Sequence, residues 1–272
     1  MCNVSISTNN LTIGYGRHIV QRDLNFDLHA GEMVCMLGPN GCGKSTLLRT
    51  LAGLQPALSG TFTISNNPYP LGETPSSSPY PLDGTPSSSP YPLDGTPSSS
   101  EASSIALVLT ERLSLENTTV HDVVAMGRYP YTSFLGGLSS IDEQIIEQSL
   151  RDVGLDGVGH TYFNDHSDGE KQRTLIAKAL TQETPIILLD EPTAHLDLPN
   201  RIRILQLLRR VAREQNKTIL ISTHELELAI QLSDRIMLMT PQLGIQLDTS
   251  TNLREQDAFT AAFGMDIFNP CL

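Results

Sequence analysis

One glycine-rich segment limits what this chain can fold into more than any other part of the sequence. It runs from Gly38 to Ser45, reads GPNGCGKS, and fits the pattern G-x-x-x-x-G-K-[ST]. The apolar run from Met33 to Leu37 predicts a buried strand before it, and leucines at helical spacing over 44–54 predict a helix after it. In that setting the glycines let backbone N–H groups approach phosphate oxygens closely, and the helix N-terminus adds a favourable field. The segment therefore predicts a phosphate-binding loop in an α/β fold.

The loop indicates ATP as the ligand, together with Mg²⁺. Lys44 is expected to reach the β- and γ-phosphates, and the hydroxyl of Ser45 is expected to bind Mg²⁺. The residues predicted to contact the nucleotide at this end are Gly38, Pro39, Asn40, Gly41, Cys42, Gly43, Lys44, Ser45 and Thr46.

Two further strand ends carry residues suited to ATP hydrolysis. The run from Pro185 to Asp190 predicts a buried strand that ends in two carboxylates, where ligands of parallel sheets bind. We expect Asp190 to bind Mg²⁺, directly or through water, and Glu191 to polarise the attacking water. The strand predicted over 218–222 is followed by His224, which we expect to sense the γ-phosphate. The catalytic candidates are therefore Glu191, His224 and Lys44.

Elsewhere the sequence alternates between strand-like and helix-like patterns. Apolar residues at helical spacing predict helices over 141–153 and 201–213, and Ser140 with Glu143 would form the capping box of the first. Buried strands that alternate with helices indicate a mostly parallel sheet.

A second helix start has an anion-facing pattern. Ser167-Asp-Gly-Glu170 precedes a helical run, and a Ser-x-Gly turn at a helix N-terminus suits a phosphate. Since the loop at Gly38 already provides one phosphate site, this second one predicts that two copies of the chain enclose nucleotide between them.

Together these motifs resemble those of the ATPase subunits of ABC transporters, over roughly residues 4–66 and 105–245. The resemblance identifies the Walker A loop at Gly38–Ser45, the Walker B strand ending at Asp190 with Glu191 as catalytic base, and the switch histidine at His224. It also implies nucleotide contacts by residues outside these segments. Tyr15, ahead of the first strand, would stack on adenine. The others are Ser167 and Gly169 of the signature and Asp197 of the D-loop.

The resemblance implies a P-loop α/β cassette with a mostly parallel sheet, an antiparallel β subdomain and a helical signature subdomain. The ATPase domain would span 4–245, with the helical subdomain at about 112–180 and a C-terminal tail at 246–272. An insertion at 67–104 would interrupt it.

The segment MGRYPYTSFL, over 126–135, looks like importers of ferric siderophores, haem and cobalamin. Such a subunit would act as a dimer with a multi-helix membrane permease, and indirectly with a substrate-binding protein. It would lie peripherally on the cytoplasmic face of the inner or plasma membrane.

Two motifs depart from the family pattern. The signature Leu-Ser-Gly-Gly-Gln is replaced by His-Ser-Asp-Gly-Glu over 166–170, so that Asp168 and Glu170 add two carboxylates. The Q-loop glutamine position falls at Thr110, which is followed by Glu111; Thr110 could touch Mg²⁺-bound water, and the sequence does not rank it against Glu111.

Composition narrows the class of protein. The formal net charge is −12, so the chain is a poor partner for nucleic acid. No run reaches the roughly 18 apolar residues of a membrane span, and the start of the chain lacks a signal-peptide pattern, which predicts a cytoplasmic protein.

Two other functions fit part of the pattern. One alternative is a soluble ABC ATPase that remodels a macromolecule without a permease; such proteins often carry two cassettes or basic arms, whereas this chain has one cassette and is acidic. Co-purification with a membrane protein would discriminate. The other is a P-loop kinase or GTPase, which predicts neither the Ser-x-Gly helix start nor the histidine at a strand end.

The insertion is a tandem repeat of period 11. PYPLGETPSSS over 68–78 is followed by two copies of PYPLDGTPSSS, over 79–89 and 90–100. Each unit has three prolines, three serines and little apolar surface, so it cannot offset the entropy of ordering. We interpret it as a disordered or extended surface insertion without a packed core, with a functional docking motif as the alternative.

Deleting residues 79–100, two whole units, is therefore expected to leave the melting temperature and the rate of ATP hydrolysis nearly unchanged. Differential scanning fluorimetry and a phosphate-release assay would measure both. A large fall in melting temperature would show instead that the repeat packs on the domain.

Overall fold

The computed structural model describes residues 4–64, the backbone of 67–68, and residues 104–109, 115–132, 137–241 and 244–264. Thr110, Glu111 and nearly all of the repeat lie outside these residues.

The strands and helices follow each other in the alternating order that the sequence predicts. The strands are β1 (Val4–Tyr15), β2 (His18–Leu24), β3 (Asp27–His29), β4 (Met33–Leu37), β5 (Ser59–Ile64), β6 (Asn67–Pro68), β7 (Ile105–Val108), β8 (Ile186–Asp190), β9 (Thr218–Ser222), β10 (Arg235–Thr240) and β11 (Gly244–Asp248). The helices are α1 (Lys44–Leu51), α2 (Val120–Ala125), α3 (Ser140–Asp152), α4 (Asp168–Leu180), α5 (Leu198–Glu214), α6 (Leu226–Leu232), α7 (Ser250–Glu255) and α8 (Ala258–Phe263). Two 3-10 segments lie at Met126–Tyr131 and Phe163–Asp165.

The central sheet has the order β11-β10-β4-β9-β8-β7, and its strands are parallel except for β11. Every residue of β4, β8 and β9 is buried. Apart from Asp190, Thr218 and Ser222 at strand ends, these runs are apolar rather than alternating, because both faces of the sheet are covered. Two hydrophobic clusters form the two faces: one includes apolar side chains of α4, α5 and α8, and the other includes those of α1 and the antiparallel strands. This arrangement brings the loops that follow β4, β8 and β9 to one edge of the sheet.

The second sheet, of order β2-β1-β5-β6 with β3 beside β1, is antiparallel. Its buried residues Ile6, Leu11, Ile13 and Phe62 pack into the same cluster as α1. The predicted cassette fold, with a mostly parallel sheet, an antiparallel β subdomain and a helical subdomain, is confirmed.

The helical subdomain consists of α2, α3 and α4, which contact one another. The predicted capping box of α3 is wrong by one residue: Ser139 is the N-cap, and its Oγ accepts the Asp142 N–H while the Asp142 carboxylate accepts the Ser139 N–H. Two serines stand side by side here, and Ser139 is the one with the extended backbone (φ −82°, ψ 167°) that an N-cap requires.

The predicted boundary between domain and tail, at 245/246, falls inside β11. Beyond it, α7 and α8 pack against each other and against β11 and β10. Leu253, Ala258 and Phe259 are buried in the hydrophobic cluster of the parallel sheet. Residues 246–264 are therefore part of the same core. No helix among the described residues has the length and apolarity needed to cross a membrane.

Candidate nucleotide site

The loop between β4 and α1 is held by hydrogen bonds from Lys44 to its own backbone. Lys44, at the start of α1, is 7% exposed, and its Nζ donates to the carbonyl oxygens of Gly38 (2.9 Å) and Pro39 (3.2 Å). The ammonium group therefore lies against the backbone of the loop, on the first residue of α1. A cation at a helix N-terminus suits an anionic ligand.

Two glycines of the loop have no room for a side chain. A Cβ on Gly38 would lie 2.1 Å from the carbonyl oxygen of Met239, at the end of β10. Gly43 has φ +108°, in the left-handed region, and a Cβ there would lie 2.7 Å from Cγ1 of Val20. The glycines thus let the loop pass closely between β10 and β2.

Gln21, which sequence reasoning missed, ties the loop to both of these strands. This side chain is buried, and its Nε2 donates to the carbonyl oxygens of Cys42 (2.9 Å) and Thr240 (3.0 Å). No sequence signal marks it, because the contact depends on how the two sheets pack.

The carboxyl ends of β8 and β9 bring the predicted catalytic residues together. Asp190 is buried, and its Oδ1 accepts the hydroxyl of Ser222 at 2.6 Å. Glu191 follows with φ +47°, and its Oε1 lies 2.8 Å from Nε2 of His224. Glu191 and His224 are both partly exposed, so the pair can meet a ligand from solvent. Helix α1 contacts β8, and the loop that precedes α1 follows β4, a parallel strand of the same sheet.

Tyr15 lies at the end of β1 rather than ahead of the first strand as predicted. Its ring is half exposed, and its hydroxyl is 3.0 Å from Oγ1 of Thr46 in α1. The tyrosine thus stands beside the phosphate-binding loop, and its stacking on adenine remains a prediction.

The signature segment begins α4 with a capping box. Ser167 is the N-cap, and Oε2 of Glu170 accepts both its backbone N–H (3.0 Å) and its hydroxyl (2.7 Å). Nδ1 of His166 lies 3.5 Å from the same oxygen. The hydrogen bonds from Ser167 hold the pKa of Glu170 below its ordinary value. The Glu170 carboxylate is thus directed to its own helix end.

Gly169 of the predicted signature and Asp197 of the predicted D-loop both contact Asn200 in α5. Gly169 is buried against Asn200, whose side chain would meet a Cβ there at 2.9 Å. Asp197 caps α5 by accepting the Asn200 N–H at 3.2 Å. Within the part of the chain that the structure describes, no hydrogen bond or ion pair joins this region to the loop at Gly38–Ser45.

The segment Met126–Tyr131, part of the stretch that looks like importers of iron chelates, connects elements within the helical subdomain. Arg128 is 5% exposed; its Nε donates to Oδ1 of Asp142 (2.8 Å), and its Nη1 donates to the carbonyl oxygen of Thr181 (2.8 Å) and to Glu183. Its guanidinium also lies 4.0 Å from the ring centre of Tyr131. One arginine therefore links α3 to the end of α4.

Comparison with known proteins agrees with this geometry. The model of the ABC transporter family matches residues 21–194. An uncharacterised ABC transporter ATP-binding protein of Methanocaldococcus jannaschii is 38% identical over 234 residues, which cover 86% of this chain and 72% of that protein. The iron(3+)-hydroxamate import ATP-binding protein of Bacillus subtilis is 32% identical over 262 residues, 96% of this chain and 88% of that protein. A candidate metal-chelate type ABC transporter solved in an inward-facing conformation is 29% identical, with a TM-score of 0.76 over 97% of this chain and 90% of that one.

Proposed function

Because this chain belongs to the ATP-binding proteins of the ABC transporter family, we propose that it is the ATP-hydrolysing subunit of an importer for iron chelates, haem or cobalamin. The observation that best supports this proposal is the pair formed by Glu191 and His224. Oε1 of Glu191 lies 2.8 Å from Nε2 of His224, at the sheet edge that also bears the loop at Gly38. A carboxylate base beside a phosphate loop is an arrangement for hydrolysis, and binding alone would not need it.

Each residue would have a separate task in hydrolysis. Lys44 and the loop N–H groups would hold the β- and γ-phosphates, while Glu191 would orient the attacking water and accept its proton. His224 would contact the γ-phosphate while it holds the Glu191 carboxylate in place. Such a site lowers the barrier mainly by positioning and by stabilising charge.

The oxygen donors at this edge suit Mg²⁺. Ser45 offers a hydroxyl and Asp190 a carboxylate, and Mg²⁺ is commonly bound by one or two protein oxygens together with substrate phosphates and water. When bound, the ion would neutralise negative charge on the β- and γ-phosphates. Thr110, or Glu111 in its place, would contact the water bound to it.

The working unit would be a dimer in which the signature of one copy, with Ser167 and Gly169, meets nucleotide held by the loop of the other. Asp197 would approach the same interface. Closure around ATP would drive a membrane permease, which would place this chain peripherally on the cytoplasmic face of the membrane and, indirectly, in a complex with a substrate-binding protein. The name of the Bacillus subtilis relative supports an iron chelate as the cargo class.

Uptake measurements in the source organism test this function. A strain that lacks this gene is expected to lose uptake of one of three labelled cargoes: a ferric hydroxamate, haem or cobalamin. The wild-type gene should restore uptake, and a Lys44→Ala variant should not. Normal uptake of all three in the deletion strain, with no alternative importer detected, would contradict the proposed cargo class.

The altered signature leads to a separate prediction. Replacing Asp168 by Gly and Glu170 by Gln, in a Glu191→Gln background, is expected to change ATP-driven dimerisation by no more than about twofold, because Gln can keep the capping box. Sedimentation velocity with saturating ATP measures the dimer. At least tenfold tighter dimerisation would show that these carboxylates face the partner's γ-phosphate and repel it.

A further inference from the structure

Ser222, the last residue of β9, lies between the two acidic residues of the site. Its Oγ donates to Oδ1 of Asp190 at 2.6 Å and accepts the backbone N–H of Glu191 at 2.9 Å. We infer that Ser222 is a positioning residue for ATP hydrolysis, which fixes the metal-binding carboxylate of Asp190 and the backbone of Glu191 at the same time. This inference rests on the proposed function of the site.

The direction of both hydrogen bonds follows from the chemistry of the partners. A carboxylate oxygen can only accept, and a backbone N–H can only donate, whereas a serine hydroxyl does both. Ser222 must therefore give its single proton to Asp190 and offer a lone pair to Glu191. Neither Ala nor Val can make either bond, and Cys makes both only weakly.

The sheet register explains why the residue stands at this position. Asp190 and Ser222 are opposite each other in the parallel pairing of β8 and β9. The Glu191 N–H also donates to the carbonyl oxygen of Ser222 at 3.1 Å, so the first residue after β8 remains attached to β9. The chain turns sharply there, since Glu191 has φ +47°. A side chain with a β-carbon is disfavoured in that conformation, so the bonds from Ser222 help to hold it.

Burial makes the hydroxyl difficult to replace. Ser222 is 0% exposed and Asp190 is 8% exposed. A water molecule from bulk solvent therefore cannot readily take the place of a deleted hydroxyl. Groups that orient a metal-binding carboxylate typically contribute about 10- to 100-fold to metal affinity or activity.

The test compares Ser222→Ala and Ser222→Cys with a matched control on the same strand. Thr218, at the other end of β9, is also 0% exposed, and its hydroxyl donates to the carbonyl oxygen of His29 at 2.9 Å. Thr218→Val removes an equally buried hydroxyl at the sheet edge opposite the site. Ser222→Cys nearly keeps the volume, so that at least one variant should fold normally.

Three quantities are measured for each variant: kcat, the KM for ATP, and Mn²⁺ affinity by electron paramagnetic resonance with a non-hydrolysable ATP analogue. Both Ser222 variants should lower kcat about tenfold or more and weaken Mn²⁺ binding by a similar factor. Their KM for ATP should change less than about twofold, because the phosphate loop is intact. Thr218→Val should leave all three quantities near wild-type values.

Two outcomes would overturn the inference: Mn²⁺ affinity and kcat in Ser222→Ala equal to wild type, or the same losses in Thr218→Val. A lower kcat with unchanged Mn²⁺ affinity would contradict the link to Asp190. Failure of the proposed function is recognised separately, since the wild-type protein would then show no ATP hydrolysis in the same assay.

Discussion

Replacing Glu191 by Gln is expected to reduce the turnover of ATP by about 100-fold or more, because a general base typically contributes 10²- to 10⁴-fold to a rate. Gln nearly matches Glu in size and can still bond His224, so the geometry of the edge should survive. ATP binding should be retained, since in the proposed function Lys44 and the loop would hold the phosphates independently of Glu191. Phosphate release under saturating ATP and equilibrium binding of a fluorescent ATP analogue measure the two effects.

Glu225 is a matched control for this variant. It lies in the same loop as His224, and its carboxylate is bonded to Arg201 rather than to any residue of the predicted site. Glu225→Gln should keep turnover within about threefold of wild type, since no general-base loss is involved. Wild-type turnover in Glu191→Gln would remove Glu191 from the role of base, whatever the control shows.

Replacing Arg128 by Met is expected to lower the free energy of unfolding by about 3–5 kcal/mol, the usual cost of leaving a buried ion without its partner. The side chains of Arg128 and Asp142 are only 6% and 8% exposed. Without the guanidinium, Asp142 would lose its buried counter-charge, and the carbonyl of Thr181 would lose a donor. Urea unfolding followed by circular dichroism measures the change.

Two further variants show whether the unpaired charge is the cause. Arg128→Met with Asp142→Asn should be more stable than Arg128→Met alone, because an amide needs no counter-ion. Arg151→Met should cost less than about 0.5 kcal/mol, since Arg151 is an exposed arginine 3.7 Å from Glu147. If the double variant is less stable than the single one, the loss comes from packing instead.

The pair formed by Arg128 and Asp142 also makes the stability of the fold depend on pH. Burial alone would raise the pKa of Asp142, but hydrogen bonds from Ser139 and Arg128 outweigh it and lower that pKa. A carboxyl group with a lowered folded-state pKa stabilises the fold above its unfolded-state pKa, and this stabilisation is lost as the pH falls through the folded value. Acid should therefore destabilise the wild type more than an Arg128→Met, Asp142→Asn variant.

The parts of the fold that the sequence predicts correctly are those that depend on neighbouring residues along the chain. The strands at Met33–Leu37 and Thr218–Ser222 have the predicted bounds, because an unbroken apolar run next to glycine or polar residues leaves few alternatives. Helix α5 begins at Leu198, earlier than predicted, since Asp197 caps it and Pro199 suits its first turn. A search for apolar periodicity does not register such polar starts.

The parts that it missed depend on which strands become neighbours. Gln21 and Thr240 are far apart in the sequence and meet only when the antiparallel sheet packs beside β10. Ser222 faces Asp190 because β8 and β9 pair in one particular register. Ser222 could have been predicted as a site residue, because it ends a predicted strand two residues before His224. Polar residues at the ends of parallel strands tend to lie close together.

The strand order has an evolutionary consequence for the tandem array. The array begins at Pro68, the last residue of β6, and ends before β7, and each of these is the last strand in the order of its own sheet. Its unit is a whole number of codons, so slippage during DNA replication adds or removes units without a frameshift. Such events lengthen or shorten a connection between two outer strands and leave both strand orders intact. Lineages of this protein should therefore differ in copy number far more readily than in any residue of the sheet edge that bears Asp190 and Glu191.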